Sequence, residues 1–397
     1  MTRTAKAVNV DEIREAARRC LPSFLFDFID GGVDAETGLS RNRAGFEEYE
    51  LVPRYLVDVS KRDPKATLFG RTYSMPFGIA PTGPAPLFRP KADEILAAVA
   101  KDLNLPFVLS GASGASLEDI ARIAPDNSWF QLYPARNRSI TEDQIRRAAD
   151  AGIEALVVTI DTPVTPNRER HRRNSISIPF APKPATLGRI VSEVLRHPEW
   201  FIRYFANGGM PMMGNWQRYA SPNATASNVA AFFFDQAFVP GEAGTLSWRD
   251  LERYRKAWTG KFIVKGVMHP EDARRAVELG TDGLYISNHG GKSLDRAPAT
   301  IRALPSIRRA VGANVPIMID SGIRRGSDIV IALCLGANFV FAGRPTLFGV
   351  AADGEAGVRK TIDLLRSELD LVLAGIGACG VGELDRRFLA KEAFDEA

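Results

Sequence analysis

The feature that most constrains this chain is a strand-then-helix rhythm that recurs eight times. Short apolar runs stand at Phe77–Ala80, Phe107–Ser110, Trp129–Tyr133, Leu156–Ile160, Phe262–Gly266, Gly283–Ser287, Ile317–Asp320 and Phe339–Gly343. Each is apolar enough to be buried on both faces, as parallel strands require. Amphipathic segments lie between most of them: SLEDIARIA from Ser116, TEDQIRRAADAG from Thr141 and HPEDARRAVELG from His269. Each opens on Ser, Thr or His-Pro beside acidic residues, and two close on glycine, which predicts capped helices. Eight such units fit a closed (β/α)8 barrel or a doubly wound open sheet. The count favours the barrel, and so does the gathering of polar residues at the C-terminal ends of many strands. No GxGxxG follows the first strand, so the dinucleotide-binding sheet lacks its main signal.

A barrel accommodates all 397 residues as one unit, so a single domain over 1–397 is expected. An insertion, residues 179–244 and rich in Pro, Gly, Asn and aromatics, breaks the rhythm between the fourth and fifth strands. Loops of this length are usually lids or interaction segments. Its middle, HPEWFIRYFANGG, predicts a short aromatic helix packed over the barrel mouth. The alternative is a surface that touches a membrane or an electron acceptor. A net charge of +4, with basic and acidic residues interspersed, gives nucleic-acid binding little support. Cys20, Cys334 and Cys379 have neither disulfide nor metal-ligand spacing, and no metal is expected. The N-terminus lacks a signal peptide's apolar stretch, and no uncharged run is long enough to span a bilayer. The cytoplasm is therefore the expected location, with the inner face of the membrane as a peripheral option.

The chemistry-bearing residues gather at strand ends. Ser287-Asn288-His289-Gly290-Gly291-Lys292 follows the sixth strand, where a histidine projects into the barrel mouth and suits a general base. Asp161 closes the fourth strand and suits an imidazole partner. Arg168 offers a fork of donors for a carboxylate, although Arg170, Arg172 and Arg173 nearby also allow a solvated charge. Asp320-Ser321-Gly322-Ile323-Arg324 and Gly343-Arg344 end the seventh and eighth strands, where barrels commonly hold a phosphate. Lys265 interrupts an apolar strand, which calls for an anionic ligand or an ion pair.

With these motifs the chain resembles the FMN-dependent L-2-hydroxy-acid oxidases and dehydrogenases. The resemblance runs through LPSFLFDFIDGG, IAPTG, LSGAS, FQLY, TIDTP, IVKG, SNHGG and DSGIRRGSD to GRPTLFG. It implies oxidation of a small 2-hydroxy acid with FMN as cofactor. His289 would be the base, Asp161 its partner and Tyr133 the hydroxyl on the substrate oxygen. Arg168 would clamp the carboxylate, and Lys265 would face the flavin N1/C2 edge. Pro81, Thr82, Gly83, Ser110, Gln131, Thr159 and Ser287 match isoalloxazine and ribityl positions. Asp320, Gly322, Arg324, Gly343 and Arg344 match ribityl and phosphate positions. Two substrate-binding positions depart from the family: Lys292 replaces a second arginine, and Phe28 replaces a tyrosine. They leave open a different substrate, such as a C–N bond, and a barrel that binds FMN without turnover is a further alternative. Gly83 and an insertion most like the lactate dehydrogenase branch favour a quinone-like acceptor over oxygen. A homotetramer is expected from the resemblance alone.

Overall fold

The computed structural model describes residues 2–174, 187–237 and 246–390. A small antiparallel pair, β1 (Ala66–Leu68) and β2 (Arg71–Tyr73), precedes the barrel. Eight parallel strands follow: β3 (Phe77–Ile79), β4 (Phe107–Leu109), β5 (Ser128–Leu132), β6 (Ala155–Thr159), β7 (Lys261–Val267), β8 (Gly283–Ile286), β9 (Ile317–Ile319) and β10 (Phe339–Ala342). The last pairs with the first, Val340 opposite Phe77, and the sheet closes on itself. All eight runs read from the sequence are these strands, and the open-sheet alternative is excluded.

Two apolar layers explain why the strands read as unbroken hydrophobic runs. Inward side chains, among them Trp129, Val157, Ile263, Tyr285, Met318, Phe339 and Phe341, fill the barrel. Outward ones such as Phe130, Leu156, Val264, Leu284 and Val340 pack against the helices. Leu68 and Tyr73 of the β1–β2 pair join the inner layer and Phe69 packs against it. The Phe69 ring also abuts the start of β8 at Gly283, so the pair plugs the N-terminal end of the barrel. The C-terminal end is left for the site.

The capping signals were largely legible. Ser116 accepts from the Asp119 N–H, and His269 accepts from the Glu271 N–H. The helix expected from Thr141 instead spans Arg138–Asp150 and is capped by Asn137. Thr141 is buried inside it, and its hydroxyl accepts from the Ala135 N–H at 2.8 Å.

The insertion divides into two parts with different attachments. Helices Leu187–Arg196 and Pro198–Ala206 lie against the N-terminal helices, and the second is the aromatic helix expected from HPEWFIRYFANGG. Trp200 anchors it, donating to the Leu87 carbonyl at 3.1 Å and meeting the Phe24 ring edge-on. Residues 210–237 form a separate small core in which Met213, Trp216, Val229, Ala230 and Phe233 pack on Ala112 and Tyr133. This second part, rather than the aromatic helix, covers the barrel mouth. Residues 179–186 and 238–244 of the insertion lie outside the described residues.

Candidate active site

A cavity opens at the C-terminal end of the barrel. Its wall contains Phe28, Pro81, Thr82, Gly83, Ser110, Gln131, Tyr133, Thr159, Arg168, Lys265, His289, Lys292, Asp320, Gly322, Arg324, Gly343 and Arg344. These come from separate strand ends and from an N-terminal helix, as the sequence reading required. Asp161 and Ser287 sit directly behind this wall, bonded to the residues that form it.

One side of the cavity holds a hydrogen-bonded relay of Tyr133, His289 and Asp161. His289 Nδ1 lies 3.0 Å from Asp161 Oδ1, and its Nε2 lies 3.2 Å from the Tyr133 hydroxyl. With the carboxylate holding a proton on Nδ1, the neutral form of His289 turns its Nε2 lone pair toward the Tyr133 hydroxyl. Burial alone would push the Asp161 carboxyl up. The His289 charge, its hydrogen bond and the Lys265 charge outweigh burial, and the net shift is downward. His289 takes a left-handed backbone (φ +59°), uncommon for a residue with a side chain and typical of functional positions. Gly266 makes room behind the relay. Its φ is +102°, and a Cβ there would stand 2.6 Å from the Asp161 Cβ. The irregularity between Lys265 and Val267 falls at this glycine.

Next to the relay lies an unbalanced cluster of cations. Arg168 Nε is buried without a hydrogen-bond partner among the described residues, so the solvated-charge reading of this residue is wrong. Its guanidinium stands 5.6 Å from the Phe28 ring centroid, and burial holds it below its ordinary value. Lys292 is 5.5 Å from the same ring and donates to the Phe28 carbonyl at 2.9 Å. Burial first, then the charges of Arg344 and Arg168, pull Lys292 well down. Arg170 is not part of the cluster; it bonds Asp30 and Glu36.

His171, which the sequence reading passed over, stacks flat on Phe28 at 4.8 Å. Burial and the charges of Arg168, Lys292 and Arg170 lower it to about 3. An unfolded histidine titrates near 6.5, so the folded state loses stability as pH falls from about 6.5 toward 3. At pH 5 that loss is at most about 2 kcal/mol, from about 1.4 kcal/mol per unit. A His171→Phe variant keeps the stack, and urea unfolding at pH 7 and pH 5 should show it losing less stability than wild type. Equal losses would mean that His171 is not the titrating group.

The opposite side of the cavity suits a phosphorylated planar cofactor. Gln131 accepts from the Gly111 N–H at 3.1 Å and donates to Thr159 Oγ1 at 2.8 Å. Thr82 Oγ1 and Arg324 Nε are buried with no partner among the described residues. Burial, followed by neighbouring arginine charge, lowers Arg324 to about 9; burial takes Arg344 to about 10 despite Asp30, Glu36 and Asp320. The Arg344–Asp353 helix starts here without a side-chain cap, and an uncapped N-terminus attracts an anion. Gly322 has an internal reason as well, since a Cβ there would lie 2.2 Å from the Asn42 carbonyl oxygen. Lys265 has the ion pair weighed from sequence: Nζ is 3.5 Å from Asp320 Oδ2 and donates to Ser287 Oγ at 2.8 Å.

Sequence reasoning missed Phe88, Phe233 and Phe234, which complete the apolar wall. The FFF run at 232–234 was visible, but nothing local linked it to the distant strand end at Tyr133.

A barrel mouth suited to a phosphate lies beside a histidine–carboxylate pair and a buried arginine, an arrangement that fits a cofactor-dependent enzyme. Residues 17–391 match the FMN-dependent dehydrogenase family, and the chain belongs to it. It is similar to the (S)-mandelate dehydrogenase of Pseudomonas putida, with 38% identity over 97% of this chain and 94% of the relative. An L-lactate dehydrogenase of Caulobacter sp. is 37% identical over 96% and 97% of the two chains. A peroxisomal (S)-2-hydroxy-acid oxidase of Oryza sativa subsp. japonica is 37% identical over 97% and 96%. The crystal structure of the monotopic membrane protein (S)-mandelate dehydrogenase superposes with a TM-score of 0.90 at 37% identity, covering 97% of this chain and 99% of that one. The protein is thus a flavoenzyme that uses FMN to oxidise CH–OH groups of 2-hydroxy acids.

Proposed function

We propose that the preferred substrate is an L-2-hydroxy acid with a bulky apolar side chain, oxidised to the 2-oxo acid with a quinone-like final acceptor. The observation that carries this reading is the Tyr133–His289–Asp161 relay set beside the buried Arg168 Nε, which has no partner among the described residues. Arg168 binds the substrate carboxylate through its planar fork. The Tyr133 hydroxyl contacts the substrate oxygen, and His289 Nε2 takes the proton released at the reacting carbon or hydroxyl. Asp161 then stabilises the imidazolium. FMN, when bound, accepts the hydride equivalents and passes them on. Pro81, Thr82, Gly83, Ser110, Gln131, Thr159, Lys265 and Ser287 would hold its ring and ribityl chain. Asp320, Gly322, Arg324, Gly343 and Arg344 would hold the lower ribityl chain and the phosphate.

Phe28, Phe88, Phe233 and Phe234 line the cavity and favour an apolar substituent, as in mandelate. The two departures favour a second reading, a redirected site whose 2-hydroxy acid is none of the simple family substrates. Phe28 brings no hydroxyl, and Lys292 is already engaged with the Phe28 carbonyl. Comparing kcat/KM for (S)-mandelate, L-lactate and glycolate tests both. Mandelate should lead by at least tenfold, and Lys292→Arg should leave its turnover unchanged or higher. Slow turnover of all three, made slower by Lys292→Arg, would favour the redirected site.

Peripheral membrane contact has support from the first part of the insertion. Val191, Leu195, Phe201, Ile202 and Phe205 are exposed on its two helices, with Arg196 beside them. Among the described residues no helix is long and apolar enough to cross a membrane. An oligomer, as the tetramer implied by the resemblance, has support from exposed Tyr55, Leu56, Val57 and Leu371.

A further inference from the structure

Beneath the cavity floor lies an aromatic ring that the proposed reaction does not use. Tyr285 on β8 pairs in register with Lys265 on β7, so the two side chains enter the barrel interior as cross-strand neighbours. Lys265 Nζ stands over the Tyr285 ring, 5.1 Å from its centroid. The ring is fully buried and packs on Phe341 at 5.1 Å, which packs on Trp129 at 5.6 Å. This stack leaves the tyrosine little freedom to move away.

The hydroxyl is buried beside the Asp320 carboxylate. Burial first, then the charge of Asp320 and its hydrogen bond to the phenol, push the ionisation far up, so the phenol stays neutral. What the ring supplies is its face, which carries negative charge density and attracts a desolvated ammonium. Lysine has three N–H donors. Ser287 Oγ takes one at 2.8 Å, and Asp320 Oδ2 lies to another side at 3.5 Å. With the ring closing off the barrel interior, a donor remains for the cavity that Lys265 lines.

We propose that the Tyr285 ring is a platform that holds the Lys265 ammonium raised toward the flavin, a positioning role that rests on the FMN reading above. Removing the face lets the ammonium sink into the barrel, away from the flavin. That displacement weakens the stabilisation of negative charge on the flavin ring.

The test compares FMN-loaded Tyr285→Phe and Tyr285→Leu with wild type. Two quantities are read without substrate: the two-electron midpoint potential by dye equilibration, and the affinity of the oxidised flavin for sulfite. Tyr285→Phe keeps the face and should match wild type within about twofold. Tyr285→Leu should bind sulfite about tenfold more weakly and lie about 30 mV lower, the same factor for a two-electron couple. Should the leucine variant fail to load FMN, Tyr285→Met removes the face while filling the space flexibly. A loaded faceless variant with unchanged potential and sulfite affinity overturns the platform alone. A phenylalanine variant as impaired as the faceless one overturns it too, by assigning the effect to the hydroxyl. A wild type that takes up no FMN overturns the FMN reading and the platform together.

Discussion

A His289→Gln enzyme should load FMN normally and reduce it about 10²- to 10⁴-fold more slowly than wild type. The variant removes the proton acceptor and leaves the cofactor side of the cavity intact, because among the described residues the His289 side chain bonds Asp161 and Tyr133. Glutamine keeps a polar side chain but cannot accept the proton at neutral pH. Asp161→Asn should act in the same direction through another route. An amide in place of the carboxylate no longer fixes the Nδ1 proton and no longer stabilises the imidazolium. Stopped-flow bleaching of the flavin under anaerobic conditions measures both. Wild-type reduction rates in His289→Gln would remove the histidine from the mechanism.

Arg168→Leu should lower kcat/KM by about a hundredfold or more, since a charged hydrogen bond contributes about 1.5–3 kcal/mol and the fork makes two. The protein itself should be no less stable. Burial already disfavours this guanidinium, and its Nε has no hydrogen-bond partner among the described residues. It also raises the electrostatic burden on Lys292 and His171. An exposed or structurally paired arginine would give the opposite pattern, with stability lost and kinetics little changed. Thermal unfolding and steady-state kinetics on one preparation separate the two.

The barrel and much of the site were legible because their signals are local. A parallel strand buried on both faces must be apolar along its whole length, so a lysine in FIVKG or an aspartate after LVVTI stands out. Barrel geometry then gathers strand ends automatically, which is how His289, Asp161 and Arg344 could be assigned to one cavity before any coordinates. The missed features depend on contacts between distant segments. Phe233 reaches the Tyr133 ring because Trp216 and Met213 build a small core over the mouth. Nothing near Phe233 in sequence encodes that. Similarly, Lys292 as a substitute for arginine suggested a weaker clamp, but not that its ammonium would bond the Phe28 carbonyl. Asn137 took the cap expected near Thr141 because the Thr141 hydroxyl was needed by the Ala135 N–H, a bond across a turn. Tyr285 read as one more strand residue, and only the register with Lys265 gives it a role.

Oxidation of 2-hydroxy acids through FMN by way of the His289 relay is tested by anaerobic mixing of the FMN-loaded wild type with (S)-mandelate, following the visible flavin absorbance and the 2-oxo acid formed. The flavin should bleach at a rate that saturates with substrate, with one equivalent of 2-oxo acid per flavin. A flavin that dithionite bleaches but mandelate, lactate and glycolate leave fully oxidised would contradict it.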